Sequence, residues 1–209
     1  MIVIVDCGMG NLRSVHKAFE RVGHPATITQ DPEEICAANA VVLPGQGAFR
    51  DCIGHLGEHK LVEPVIEFIR SGRPYLGICL GLQLLFTESE EFGCHKGMNV
   101  VPGRVRRFPA GMTDGRGSAL KVPHMGWNQA VFTQRPPIFD GIPDGAFFYF
   151  AHSYFVDPLS PGLVATTTDY GVRFVSGIWY EQVFGVQFHP EKSQAYGLRL
   201  LKNFGDLAL

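Results

Sequence analysis

Gly77-Ile78-Cys79-Leu80-Gly81 places a cysteine where a short apolar run gives way to a helix-like stretch. A thiol there can serve as a nucleophile. The sharp turn imposes a strained backbone, the flanking glycines let neighbouring chains approach, and a helix N-terminus favours the thiolate. The N–H of Leu80 would then face the negative oxygen formed when the thiolate adds to a carbonyl. A free cysteine is also among the most often buried residues, so this pentapeptide alone reads equally well as a structural turn. Phe188-His189-Pro190-Glu191 supplies what a thiolate needs: a base, and an acceptor that orients the base. Two residues apart on an extended segment, His189 and Glu191 would point to the same side. Taken by itself, this His reads as one fixed in a turn by Pro190. A third signal is the Gly-rich loop Leu43-Pro44-Gly45-Gln46-Gly47-Ala48-Phe49, which could bring a second N–H to the oxyanion. It lacks the Gly-Lys-Ser/Thr ending of a phosphate-binding loop. Of the remaining histidines, His124 and His152 stand in motif-like surroundings, and His16, His24, His55, His59 and His95 read as surface or core residues.

The elements that must carry these residues can be read from periodicity. Ile2 to Val5 is a pure Ile/Val run, as expected for a strand buried on both faces. After Gly8-Met9-Gly10-Asn11, the residues Leu12, Val15, Phe19 and Val22 recur at helical spacing, with Asn11 as N-cap and Gly23 as the stop. Ala26 to Thr29 and Ala40 to Leu43 read as strands, with a helix beginning at Asp31-Pro32 between them. Leu61, Val65, Phe68 and Ile69 form a helical stripe, Tyr75 to Ile78 a fourth strand, and Leu80 to Phe86 a helix after the cysteine. This alternation implies a parallel sheet with helices on both faces. From about Val100 to Val186, β-branched and aromatic runs broken by Pro and Gly read as antiparallel strands; Ala146–Phe155, Gly162–Thr168 and Gly177–Tyr180 are the clearest. A run from Val183 to Phe188 delivers His189, and a helix from about Gln194 to Phe204 follows. Residues 1–209 read as one α/β domain with an antiparallel β-rich excursion.

Composition excludes several classes. A net charge of −2 and a pI near 6.4 argue against a nucleic-acid-binding face spread over the whole protein. With 45% apolar and only 18% charged residues, the chain can bury a sizeable core. Low charge together with 16 Phe suggests that a partner covers some apolar surface. The start, Met1-Ile2-Val3-Ile4-Val5-Asp6, is not a signal peptide, and no apolar run approaches the roughly 18 residues that span a bilayer. Five cysteines without C-x-x-C spacing argue against a disulfide framework or a structural zinc site, and a reducing cytoplasm is the expected location.

In order and spacing, the G-I-C-L-G elbow, the P-G-x-G loop and F-H-P-E resemble the class I glutamine amidotransferases. Further segments resemble more closely the glutaminase subunits of imidazole glycerol phosphate synthases, which serve histidine biosynthesis. These are Gly8-Met9-Gly10-Asn11-Leu12-Arg13-Ser14-Val15, Pro123-His124-Met125-Gly126-Trp127-Asn128, His152-Ser153-Tyr154 and Gln187-Phe188-His189-Pro190-Glu191-Lys192-Ser193. The resemblance covers essentially the whole chain.

It implies a flavodoxin-like α/β fold, no cofactor and no metal. It also implies a Cys79–His189–Glu191 triad that hydrolyses glutamine, with Gln46 and Leu80 at the oxyanion hole and Gly47, Gln83, Ser153 and Tyr154 contacting substrate. The ammonia would pass to a (β/α)8-barrel synthase subunit, forming a heterodimer that makes imidazole glycerol phosphate and an aminoimidazole carboxamide ribonucleotide. No nucleic acid or membrane is implied as a partner. Asn11, Trp127, Tyr149 and Lys192 are expected on the docking face; the alternative for Trp127 is a core anchor. Two positions depart from the family pattern: Gln46 stands where Val is expected, and Cys7 where Tyr is expected. Cys7 reads as structural, because no His-Glu pair belongs to it. Competing readings are a Cys hydrolase or peptidase on the same fold, a non-catalytic binding subunit, and a glutaminase for anthranilate or aminodeoxychorismate synthase.

Overall fold

The computed structural model describes residues 1–209. The elements run β1 (Ile2–Val5), α1 (Leu12–Arg21), β2 (Ala26–Thr29), α2 (Pro32–Ala37), β3 (Ala40–Gly45), α3 (Phe49–Glu58), α4 (Val62–Arg70), β4 (Tyr75–Cys79), α5 (Leu80–Gln83) and β5 (Phe86–Ser89). They continue with β6 (His95–Lys96), β7 (Val101–Arg107), β8 (His124–Phe132), β9 (Ala146–His152), β10 (Tyr154–Pro158), β11 (Val164–Asp169), β12 (Arg173–Tyr180), β13 (Val183–Val186) and α6 (Gln194–Asp206). Five strands lie parallel in the order β2-β1-β3-β4-β13. From β13 the sheet continues through β12, β10, β7, β5 and β6, largely antiparallel, and a branch leaves β12 through β11 to the β8–β9 pair. This is the α/β architecture with an antiparallel excursion that the pattern predicts.

Local chemistry sets the helix starts. The Asn11 side chain accepts from the Ser14 N–H at 3.3 Å, and Asp31 accepts from Glu33 N–H at 2.9 Å with Pro32 at the first helical position. Strand alternation then divides the core. Ile2 and Ile4 of β1 join Val15 and Phe19 of α1 and Leu200, Leu201 and Phe204 of α6 on one face. Val3 and Val5 join Leu56 of α3, and Val65 and Phe68 of α4, on the other. A stacked pair, Phe148 and Phe188 with centroids 4.0 Å apart, ties β9 to the segment after β13.

The structure corrects the sequence reading of the elements at several points. The helix expected over Leu80–Phe86 stops at Gln83 and is followed by β5. The carbonyls of Leu84, Leu85 and Phe86 accept instead from the N–H groups of Met98, Val100, Val101 and Asn99, and this pulls the chain out of the helix. Helix α3, which buries Phe49, Cys52 and Leu56, was not anticipated. The run Ala146–Phe155 is two strands parted at Ser153, because β9 pairs with β8 whereas β10 pairs with β7. No helix is long and apolar enough to cross a membrane.

Candidate active site

Adjacent parallel strands bring the distant motifs together. Ile78 of β4 is in register with Val186 of β13, so Cys79 and His189 leave the same end of neighbouring strands. On the other side of β4, Gly45 is in register with Cys79, which sets the Gln46–Gly47 loop beside the elbow. Cys79 has φ 54° and ψ −104°, a strained conformation for a residue with a side chain, as a nucleophile elbow requires. The elbow is also tight. A Cβ on Gly77 would come within 2.6 Å of the Gly81 carbonyl oxygen, and one on Gly81 would collide with the Leu43 carbonyl. Gly81→Ala is therefore expected to cost about 1–3 kcal/mol of stability. Urea denaturation reads this directly, and an unchanged midpoint would show that β3 yields without strain.

α5 is a single turn, too short for the helix-terminus effect expected from sequence, so side chains must polarise the sulfur. His189 is one such group. It opens a tight 3-10 turn, Pro190–Lys192, rather than an extended segment, and the turn brings its Nδ1 to 2.9 Å from Glu191 Oε1. Both side chains are only 2% exposed. Burial opposes a charged imidazole, but the Cys79 sulfur and the Glu191 carboxylate outweigh it, and the His189 pKa is pushed up to about 10. His189 Nε2 and Glu191 Oε2 are buried without hydrogen-bond partners. The backbone of the base is also clamped. His189 N–H donates to Tyr149 O at 2.8 Å, and the Ser193 hydroxyl donates to His189 O at 2.6 Å while accepting from Tyr149 N–H at 2.9 Å.

A cavity of about 230 Å³ opens at Cys79. Gln46, Gly47, Leu80, Gln83, Ser153 and Tyr154 all line it, so every residue expected at the oxyanion hole or in substrate contact is there. His189 and Glu191 do not line it. Glu91, Pro123, Ala151 and His152 line it as well and were not singled out for this role. Gln187, fully buried behind the site, was also missed as an individual residue. The Gln83 amide donates to Tyr154 O at 3.0 Å and to Gln187 Oε1 at 3.1 Å, and Gln187 Nε2 donates to Cys79 Sγ at 3.5 Å.

His152 and His124 extend this polar chain. Tyr154 O can only accept, so His152 Nδ1 carries the proton in their 2.8 Å bond. Burial holds both imidazoles neutral, lowering the His152 pKa to about 3 and that of His124 to about 4. His152 Nε2 then accepts from His124 Nδ1 at 3.0 Å, and His124 Nε2 accepts from the Asn128 amide at 3.3 Å.

Three of the four expected docking residues, Trp127, Tyr149 and Lys192, lie together. Trp127 is 45% exposed, which removes the core-anchor alternative. It meets Tyr149 edge-on at 6.2 Å, and Lys192 Nζ lies 5.9 Å from the Tyr149 ring centroid. Asn11 is exposed at the start of α1 and uses its side chain as the helix cap. Cys7 is buried, its thiol 3.3 Å from both the Met9 and the Pro44 carbonyl oxygens. The one cluster with metal-ligand spacing is His55, Glu58 and His59 at the end of α3, none of which lines the cavity.

The family model described as glutamine amidotransferase class-I matches residues 3–207. The chain belongs to this family. The amidotransferase is 58% identical over 207 residues to imidazole glycerol phosphate synthase subunit HisH of Syntrophotalea carbinolica, covering 99% of this chain and 100% of that one. It is 55% identical over 206 residues to the subunit of the same name from Geobacter sulfurreducens, covering 99% and 98%. Among solved structures, the amidotransferase fold matches a glutamine amidotransferase crystal structure with a TM-score of 0.74 at 20% identity, covering 100% of this chain and 99% of that one. It also matches the glutaminase domain of Trypanosoma brucei CTPS with bound acivicin, with a TM-score of 0.65 at 17% identity, covering 99% and 92%. At these identities the structural matches speak for the fold alone.

Proposed function

We propose that this amidotransferase is the glutaminase subunit of an imidazole glycerol phosphate synthase. It hydrolyses glutamine to glutamate and hands ammonia to the synthase subunit in histidine biosynthesis. The observation that carries the assignment is identity of 58% to a HisH subunit along the full length of both chains. The site supports the chemistry. Glutamine enters the cavity, and the Cys79 thiolate attacks its side-chain amide carbon. The carbonyl oxygen becomes negative and takes N–H bonds from Gln46 and Leu80. His189 delivers a proton to the amide nitrogen, the C–N bond breaks, ammonia leaves, and a glutamyl thioester remains on Cys79. Water then adds to the thioester, His189 taking its proton, and release of glutamate restores the thiol. Glu191 holds the imidazole throughout. Gly47, Gln83, Ser153 and Tyr154 position the substrate. Glu91, whose Oε2 accepts from Phe49 N–H, offers its second carboxylate oxygen to the substrate's ammonium group.

The partner is a synthase subunit with a (β/α)8 barrel, docked on Asn11, Trp127, Tyr149 and Lys192. Mixing the chain with candidate synthase subunits and measuring glutaminase activity tests the assignment. Stimulation by the imidazole glycerol phosphate partner alone is expected, and stimulation by an anthranilate or aminodeoxychorismate partner instead would overturn it. Trp127→Ala should weaken association by about 2 kcal/mol or more, as for buried aromatic anchors, and barely move the melting temperature of the isolated subunit. It should also raise the ratio of glutamate to imidazole product, and Lys192→Ala should weaken coupling in the same direction. Unchanged affinity and a 1:1 ratio in both variants would remove these residues from the docking face.

A further inference from the structure

We infer that Gln187 is a positioning residue for the nucleophile, its amide N–H aimed at Cys79 Sγ to hold the sulfur in place and favour its anionic form. The orientation of this amide follows from its neighbours. Tyr154 O is a pure acceptor, so the Gln83 atom 3.0 Å from it is the NH2 group. That same nitrogen lies 3.1 Å from Gln187, which must therefore present its oxygen to Gln83. The Gln187 NH2 is left to face the sulfur at 3.5 Å. Both glutamines are buried, Gln187 fully and Gln83 at 4% exposure, and the bonds from Gln187 to Gln83 and to the sulfur are buried. Gln187 sits between Val186, the end of β13, and Phe188, and its N–H donates to Ser176 O at 2.9 Å, which fixes the backbone from which the amide reaches.

A neutral donor is suited to this place. It stabilises negative charge on sulfur without giving the leaving nitrogen a second source of protons, so proton delivery stays with His189. The titratable groups around the sulfur are His189 and Glu191 on the turn after β13, neutral His152 on β9, Tyr154 on β10 and Glu91 after β5.

This inference rests on Cys79 being the nucleophile. Its test uses the complex with the synthase subunit and two variants. Gln187→Glu keeps the side-chain shape and the acceptor for Gln83 but replaces the donor facing the sulfur with a carboxylate. Gln187→Leu removes both hydrogen bonds. The readouts are kcat and KM for glutamine and the pH dependence of Cys79 alkylation by iodoacetamide, with Cys79→Ala as the labelling blank. The expected result is a kcat reduced about 10-fold or more in both variants, with KM changed less. The midpoint of alkylation should also move to higher pH, further in Gln187→Glu than in Gln187→Leu. A Gln187→Glu enzyme with near-normal kcat and an unmoved alkylation midpoint would overturn the inference, because a space-filling role needs only the shape. The reading of Cys79 fails separately: the Cys79→Ala enzyme would then retain glutaminase activity.

Discussion

Replacing Cys79 by alanine is expected to abolish glutamine hydrolysis, with kcat reduced on the order of 10^4-fold or more. No other thiol lines the cavity: Cys7 and Cys52 are buried in the core, and Cys36 and Cys94 are exposed elsewhere. The variant should fold and dock normally. The side chain removed is small, and alanine fits the site as well as cysteine except for the backbone strain that both must bear. The complex should still make product from added ammonium salt, because the synthase chemistry does not use this sulfur. The measurement is glutamate release beside ammonia-driven product formation. Substantial glutamate release would remove Cys79 from the mechanism.

His189→Ala should be nearly as damaging, and Glu191→Ala about 100-fold less so. The base moves a proton in both halves of the reaction, whereas the carboxylate acts through the tautomer and aim of the base. The geometry sharpens the ranking. Glu191 holds Nδ1, but the His189 backbone is held independently by Tyr149 and Ser193, so the ring loses its orienting partner and not its place. Single-turnover rates of thioester formation and hydrolysis in the three variants would establish the order. Equal loss in Glu191→Ala and His189→Ala would give Glu191 a part beyond orientation.

The parallel half of the fold was legible because its strands are short apolar runs, purest in Ile2–Val5, and because two of its helix starts carry a capping residue, Asn11 and Asp31. The nucleophile and its base were legible because elbow glycines and His-Pro-Glu are local patterns. What escaped lacks a local signal. In α3 the glycines Gly54 and Gly57 dilute a buried stripe of Phe49, Cys52 and Leu56. The run Leu80–Phe86 is apolar but for Gln83, and nothing in it shows that its last carbonyls will be claimed by residues near 100. Glu91 belongs to none of the motifs that the sequence offers, yet it lines the cavity. Gln83 was found only through resemblance. The part that Gln187 takes depends on a contact between residues 104 apart, which no periodicity records.

The placement of β13 has a consequence for how activity arises. It is the last strand in the chain, yet it lies inside the sheet, between β4 and β12. A chain that has built β1 to β4 already possesses the elbow and its thiol, but one edge of β4 is open and no base is within reach. Insertion of β13 closes that edge and delivers His189 in the same event, as a non-local pairing of the kind that forms slowly. The sulfur therefore acquires its base only when the sheet is complete. A chain that lacks the β13 pairing would hold the thiol without its base, and recovery of glutaminase activity on refolding is expected to follow closure of the sheet at its centre.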